Sequence, residues 1–298
     1  MAWGPAVKLE GRNPAHSTAY FERVTARRLR KFEIFFSRCY RRQLPKFRHK
    51  LEYFPVWLLA AVIGVLPRSI ARAFCEGVGL LMYTVHRRLR NVGLRNLDLA
   101  FPEKSRKEKL QILRTLFKGL GRQLAEFAFF PRYRKESASE VAIYDGFQNF
   151  AEARARGKGV LFLTAHFGGW EIGSFVHSLN GNPMNIVVRP LDNPYVDSFV
   201  DFFGVPACTA TGVARVALHT GAAVLPAFTI WDKELGKYKI RFDPALQLTK
   251  TGDDEADAIA NTALFTKVIE SYARRYPEQW LWVHRRWKTR PQGEPSIY

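Results

Sequence analysis

The residues best suited to chemistry lie together in the run from Leu161 to Glu171. An apolar, strand-like segment leads to His166, and Glu171 follows five positions later. A histidine titrates near neutral pH and can act as a base. A carboxylate bonded to its second ring nitrogen would fix the tautomer and stabilise the imidazolium. The pair suits removal of a proton from a hydroxyl that attacks an acyl thioester, a reaction that needs no nucleophile from the protein.

Between the histidine and the glutamate stand Gly168 and Gly169. Glycines allow the backbone to come close to a ligand, so we expect both residues to contact substrate. The segment from Trp170 is predicted to begin a helix, whose free amides would favour a developing oxyanion. The spacing of His166 and Glu171 alone is a common coincidence. Its place between an apolar strand and a Gly-Gly turn favours a functional interpretation.

The elements that would position this run follow from the pattern after about residue 140. Short apolar runs, typical of strands, alternate with stretches of helical periodicity, which predicts a largely parallel α/β sheet. The predicted strands are Val160–Leu163, Asn185–Val188, Val224–Ile230 and Tyr238–Phe242, and the last long helix is predicted over residues 256–276.

The N-terminal part divides into a basic lead segment, residues 1–52, and a domain over residues 53–298 that opens with apolar helices at 53–90. Its apolar runs, 56–66 and 73–85, are too short to span a bilayer, which needs about 20 residues. They suit a helical hairpin lying on a membrane, or two ordinary buried helices. Helical periodicity continues to about residue 135, and Pro102 with Glu103 predicts the start of a further helix.

The net charge of +19 and a pI near 10.1 predict an acidic partner. Nucleic acid, an anionic membrane, an acidic protein and a phosphorylated substrate all fit this charge. The basic lead segment, with its interleaved aromatics, suits anionic lipid or RNA. The apolar helices favour the membrane, since a soluble nucleic-acid-binding protein has little use for such a surface. Three scattered cysteines predict neither a disulfide framework nor a zinc site.

Several blocks, in order, resemble the bacterial lipid A biosynthesis acyltransferase family, the late lauroyl and myristoyl transferases. One departure is Gly169, where the family commonly has Asn. The matching blocks are Asn91–Glu103, Leu120–Arg122 with Glu126–Phe127, His166–Glu171, Arg189–Pro194, Phe202–Thr209 and Tyr276–Lys288.

The resemblance implies a glycerol-3-phosphate-acyltransferase-like fold, with a mixed, largely parallel sheet flanked by helices and a membrane-associating N-terminal region. It implies O-acylation of a lipid A precursor or related glycolipid, with acyl carrier protein or CoA as donor and with no cofactor or metal. The enzyme would work at the cytoplasmic face of the bacterial inner membrane. Its partners would be the carrier protein, anionic lipid and the acceptor, and not nucleic acid. The residues implied are His166 and Glu171 for catalysis, and Gly168, Gly169, Arg189, Phe203, Gly204 and Thr209 for substrate binding.

One stretch departs from the family pattern. Between Arg189 and Phe202 the sequence lacks an insert the size of one strand-helix-strand unit, which in the family carries an Asp-Gln pair of the active site. The chain is therefore an active shortened enzyme, an impaired relative that only binds membrane or glycolipid, or a sequence that carries a deletion. A nucleic-acid-binding protein is a further alternative. Near the C-terminus, His284, Arg285 and Arg286 suggest an anion site or a strand with surface cations.

Overall fold

The structure, a computed structural model, describes residue 54, residues 58–185 and residues 197–298. The chain divides after Leu59 into two units, and every element below belongs to the second, Ala60–Tyr298. The predicted lead segment (1–52), Arg189 and all but the first residue of the predicted strand Asn185–Val188 lie outside the described residues. Within the described ranges, no helix is both long and apolar enough to cross a membrane.

The order of elements follows the predicted change from helical to alternating structure. After a helical stretch at residues 60–65, the helices are α1 (Arg68–Val85), α2 (Arg87–Ala100), α3 (Arg106–Phe129), α4 (Ala138–Val141), α5 (Phe147–Ala155), α6 (Trp170–Leu179), α7 (Gly212–Thr220) and α8 (Asp254–Arg275). The strands are β1 (Ala142–Asp145), β2 (Val160–Leu163), β3 (Asp197–Phe202), β4 (Val205–Ala210), β5 (Ala223–Asp232) and β6 (Lys237–Phe242).

The main sheet has the strand order β1-β6-β5-β2. The pairs β1–β6 and β2–β5 are parallel, whereas β5–β6 is antiparallel. Strands β3 and β4 form a separate antiparallel hairpin. The prediction of a mixed, largely parallel sheet flanked by helices is therefore confirmed for the described residues. The predicted strands at 160–163, 224–230 and 238–242 and the helix at 256–276 are confirmed to within a few residues.

Strand β5 is the centre of the core because both of its faces are covered. Successive side chains of a strand point to opposite faces of the sheet. Leu225 belongs to a buried cluster with Ile172 of α6. Phe228, on the other face, stacks on Tyr272 of α8 with ring centroids 3.8 Å apart. A strand buried on both faces needs a nearly continuous apolar sequence, which β5 has.

Helices α1 and α3 pack closely through small residues. Gly79 of α1 lies against the backbone carbonyl of Phe117, and Gly121 of α3 lies against that of Cys75. A Cβ at either glycine would collide with the opposing carbonyl oxygen, so the two backbones could not approach as they do. This contact confirms the predicted helical region and shows that α1 turns its small residues inward.

The predicted helix start at Pro102 and Glu103 is wrong by a few residues, because a capping box lies just downstream. The hydroxyl of Ser105 accepts a hydrogen bond from the N–H of Glu108, and the Glu108 carboxylate accepts one from the N–H of Ser105, at 2.8 Å. Two amides that would otherwise lack partners are satisfied in this way. The helix therefore begins at Arg106.

A buried carboxylate holds this helical layer to the sheet. Glu126 of α3 is fully buried and pairs with Arg68 Nη2 at 3.0 Å and Arg72 Nε at 2.5 Å. It also accepts a hydrogen bond from the Tyr133 hydroxyl. Arg72 extends the network to the turn between β5 and β6, where it donates to the carbonyl of Gly236 at 3.0 Å.

We expect Glu126→Ala to lower the free energy of unfolding by about 3–5 kcal/mol, because it leaves two largely buried guanidinium groups without their counter-ion. Urea denaturation in detergent, followed by tryptophan fluorescence, measures the change. Glu152→Ala is the control, since Glu152 is exposed on α5 and its loss should change stability by about 0.5 kcal/mol or less. Equal effects of the two substitutions would contradict a structural role for the network.

Candidate active site

His166 lies beyond the carboxyl end of β2, at the edge of a sheet where α/β proteins commonly bind ligands. Strand β2 ends at Leu163, which pairs in parallel with Pro226 of β5. The His166 side chain is exposed, and its ring centroid is 5.3 Å from that of Trp170 and 6.4 Å from that of His284. The imidazole is therefore open to a substrate on one side and bordered by aromatic rings on the other.

The two glycines after His166 do not present their amides to a ligand. The N–H of Gly168 donates to the carbonyl of Gln279 at 2.8 Å, and that of Gly169 donates to the carbonyl of Thr229 at 2.9 Å. Both amides are therefore already paired within the protein, and the predicted contact of the two glycines with substrate stays a prediction. The glycines are needed because the loop lies directly on the sheet. Gly168 has a φ of 52°, and a Cβ there would collide with the Thr229 carbonyl, whereas a Cβ on Gly169 would collide with the Tyr238 ring.

Helix α6 begins at Trp170, as predicted, and supplies the donors that remain. The first bond of the helix runs from the N–H of Gly173 to the carbonyl of Gly169. The amides of residues 170–172 therefore have no backbone partner within the described chain, as is normal for the first turn of a helix. Together with the helix dipole they favour negative charge beside His166.

Glu171 lies in this first turn, but it is not bonded to His166. Its Oε2 atom is buried without a hydrogen-bond partner. Burial raises the pKa of the Glu171 carboxyl, and a hydrogen bond from its own backbone N–H offsets part of that rise. Within the described part of the chain, neither a hydrogen bond nor an ion pair joins the two side chains. Catalytic hydrogen bonds often form only with substrate bound, so the predicted dyad stays a prediction.

A second histidine, His284, lies beside His166 and was not expected there. Burial lowers the pKa of His284, and electrostatic interactions with His166 and Arg286 lower it further. The sequence pattern suggested an anion site or a strand at this position. The strand is not present, because the only bridge in residues 280–290 joins Trp280 to Phe167. The anion site stays a prediction.

The backbone at His284 is held in place by Asn96 of α2, a residue for which the sequence pattern predicts no such role. The buried Asn96 amide donates to the carbonyls of Trp282 and His284, at 2.6 and 2.8 Å, and its oxygen accepts from the Tyr298 hydroxyl at 2.5 Å. The blocks Asn91–Glu103 and Tyr276–Lys288 therefore meet at one amide side chain. Only the resemblance, in which both blocks appear, gave a signal for this.

The three predicted substrate residues of the β3–β4 hairpin all have structural partners. Phe203 and Gly204 form its two-residue turn with φ values of 60° and 77°, as a type I′ turn requires. The buried Phe203 ring packs 5.3 Å from that of Phe101. The Thr209 hydroxyl accepts from Arg286 Nη2 at 2.5 Å and donates to the carbonyl of Ala207 at 2.9 Å. These side chains support the loop that carries His284, and their predicted contact with substrate stays a prediction.

Arg189, the remaining predicted substrate residue, lies outside the described residues. Among the residues that the structure describes, no group of three or more His, Cys, Asp or Glu side chains could hold a metal ion. The arrangement offers a base, a nearby buried carboxyl and a helix N-terminus that stabilises negative charge. These groups suit acyl transfer to a hydroxyl.

A sequence model of bacterial lipid A biosynthesis acyltransferases matches residues 41–199 and 196–289 of the chain. The chain belongs to this family. The resemblance of the ordered blocks is thereby confirmed, and membership makes the protein an acyltransferase of lipid A biosynthesis.

Relatives in Escherichia coli (strain K12) match over nearly their whole length. The lipid A biosynthesis lauroyltransferase is 29% identical over 312 residues, covering 86% of this chain and 99% of the relative. The palmitoleoyltransferase is 26% identical over 309 residues, covering 85% and 98%. The myristoyltransferase is 23% identical over 304 residues, covering 85% and 92%. These names differ in the acyl group, so similarity alone does not select the acyl chain used here.

The family match also bears on the shortened segment. It falls into two pieces that meet at residues 196–199, between the blocks where the sequence lacks an insert. The alignment with the palmitoleoyltransferase is 309 positions long. It includes 85% of this 298-residue chain, or about 253 residues. About 56 positions of the alignment therefore have no residue of this chain. This total is large enough to include one missing strand-helix-strand unit.

The raised pKa of Glu171 predicts how stability depends on pH. A carboxyl with a raised pKa binds its proton more tightly in the folded state, so the wild type loses stability as pH rises from the ordinary carboxyl pKa, about 4.3, through the raised value. Glu171→Gln has no such loss. We therefore expect the stability of the variant relative to wild type to increase with pH across this window and then to level off.

Urea denaturation at a series of pH values measures this difference. The matched control is Glu152→Gln, whose exposed carboxylate should give a difference that is almost independent of pH. A flat profile for Glu171→Gln, or one that falls with pH, would show that burial does not destabilise the charged carboxylate.

Proposed function

We propose that this protein transfers a fatty acyl chain from an acyl thioester to a hydroxyl of a lipid A precursor, with His166 as the general base. The acyl donor is acyl carrier protein or CoA. One observation carries the proposal: in a chain of this family, His166 is exposed at the carboxyl end of β2, directly before the N-terminus of α6.

The chemistry follows from the groups present. His166 takes the proton of the acceptor hydroxyl as the oxygen attacks the thioester carbonyl, forming a tetrahedral oxyanion. The amides at the start of α6 stabilise that charge. The intermediate collapses, the C–S bond breaks, and the imidazolium returns its proton to the leaving thiolate. Glu171 orients His166 once substrate draws the two side chains together, and the imidazolium that forms is stabilised by the carboxylate.

We expect His166→Ala to lower the rate of acyl transfer by about 10²–10⁴-fold, the usual contribution of a general base. The assay uses acyl carrier protein thioester with a lipid A precursor, and then acyl-CoA with the same acceptor. His219→Ala is the control, because His219 is exposed on α7 and has no side-chain partner in the described structure. Equal activity of wild type and His166→Ala would exclude His166 as the base.

The same assay decides between the remaining alternatives. A wild-type chain that forms no acylated product at any enzyme concentration, but still binds lipid, would be an impaired relative that has lost activity with its shortened segment. Tight binding of RNA or DNA that falls steeply with salt would instead favour the nucleic-acid-binding alternative.

Helix α1 supports association with a membrane, because its large apolar side chains face outward. Ile70, Phe74, Leu81 and Val85 are each more than half exposed. The opposite face of α1 carries small buried residues, including Ala71. Val62 and Val65 add to the exposed apolar surface. Contiguous surfaces of this kind mark contacts with membranes or proteins, and a lipid acceptor favours the membrane.

In this proposal α1 lies in the membrane interface with its apolar face in the acyl region. Arg87 and Arg88, exposed at the start of α2, would lie at the headgroups of anionic lipid. The cytoplasmic face of the inner membrane is the side where carrier-protein thioesters are made, which fits the proposed donor.

We expect the triple substitution Ile70→Ser, Phe74→Ser and Leu81→Ser to weaken binding to anionic vesicles at least tenfold, because each fully buried large apolar side chain contributes about 1.5–3 kcal/mol. Vesicle flotation measures the bound fraction. The control replaces exposed apolar residues elsewhere: Val213→Ser, Val216→Ser and Ile259→Ser. Equal binding of the two triple variants would exclude α1 as the membrane face.

A further inference from the structure

A cavity of about 450 Å³ lies between the helical layer and the sheet, and it reaches the loop that carries His166. Gly168 lines it, two residues after the proposed base. Its floor is apolar and aromatic, formed by Leu80 of α1, Trp231 of β5 and Tyr238 of β6. A cavity of this size suits a small-molecule group and not the surface of a protein.

The walls of the cavity carry four cations, Arg114, Lys118 and Arg122 of α3 and Lys233 after β5. Glu76 of α1 pairs with two of them, through Arg122 Nε at 2.7 Å and Lys118 Nζ at 3.3 Å. Arg114 and Lys233 have no hydrogen-bond or ion-pair partner in the part of the chain that the structure describes. One further carboxylate, Glu278, also lines the cavity, so the site as a whole remains positive.

Arg122 is placed to make a specific contact. Its side chain is only 12% exposed, and its guanidinium lies 4.0 Å above the centre of the Trp231 ring. A stacked, fixed guanidinium with remaining N–H groups recognises a phosphate with defined geometry. The fixed Arg122 and the two unpaired cations beside it form a site for an anionic group.

The cavity continues into an open groove of about 720 Å³ between α1 and α3. The groove shares Leu80, Gln111 and Arg114 with the cavity and is lined further along by Tyr83 and Leu110. Because it borders α1, whose outer face is apolar, it offers a lipid a path from the membrane to the cavity.

From these contacts we infer that the cavity binds a phosphate group of the sugar-phosphate acceptor, while a hydroxyl of the same molecule reaches His166. The inference rests on the proposed function. An acidic carrier protein suits this cavity less well as a ligand, because Arg122, the cation with the most fixed position, is recessed and stacked on an aromatic ring. A carrier would meet the exposed rim and not the cavity floor.

The test measures binding separately from turnover. The full chain in detergent micelles, carrying His166→Ala so that no reaction occurs, is titrated with a phosphorylated lipid A precursor and with the same lipid after enzymatic removal of its phosphates. We expect the added double substitution Arg114→Gln and Lys233→Gln to weaken binding of the phosphorylated lipid at least tenfold. The dephosphorylated lipid should bind the two proteins equally.

Two further variants control for charge and folding. Arg156→Gln with Lys267→Gln removes two exposed cations, one just after α5 and one on α8, that have no described partner, and should leave the affinity unchanged. Arg114→Lys with Lys233→Arg keeps the charge and should retain binding within about threefold. Unchanged thermal midpoints confirm that all variants fold.

Wild-type affinity of the Gln double variant for the phosphorylated lipid would overturn the inference. An equal loss for both lipids would also overturn it, because the contact would not be to phosphate. Loss of affinity for acyl carrier protein with lipid binding intact would assign the cavity to the carrier. Failure of the proposed function would give a different result. The wild type would then form no acylated product, although the pattern of lipid binding described above would be preserved.

Discussion

The active-site geometry depends on the close approach of the loop after β2 to strand β5. Two backbone hydrogen bonds, from Gly168 to Gln279 and from Gly169 to Thr229, fix the loop against the sheet. The approach requires residues without a Cβ at both positions. It places His166 between the end of β2 and the first turn of α6. A side chain at either glycine would move both groups at once.

The same constraint accounts for the glycine at residue 169, where the family commonly has Asn. In this chain a Cβ at residue 169 would meet the ring of Tyr238. The glycines therefore act through the positions of His166 and α6, and not through their own amides, which are already paired.

The sequence predicted most of the helices and strands. Of the candidate site, it predicted the run that carries His166 but not the neighbouring residues from other parts of the chain. The change of periodicity near residue 140 located the sheet, and the apolar run before His166 located β2, because local pattern determines both. The start of α3 was misplaced, since Ser105 and Glu108 cap it more effectively than Pro102 and Glu103. His284 and Asn96 could not be placed beside His166 from spacing, because their proximity arises from long-range packing of the C-terminal segment on α2. The hydrogen bonds of the Gly168 and Gly169 amides could not be predicted either, because they depend on the carbonyls of Gln279 and Thr229, which are distant in sequence and lie opposite only in the folded chain.

The bond network of Asn96 also determines when the site can be completed. Asn96 belongs to the early part of the chain, while the carbonyls and the hydroxyl that it binds belong to residues 282, 284 and 298. Contacts between residues so far apart form slowly, since the intervening chain must first be ordered. During synthesis α2 and the sheet leave the ribosome before these partners exist. His166 is thus made before its neighbour His284, and the two rings can meet only after the segment that carries His284 has packed on α2.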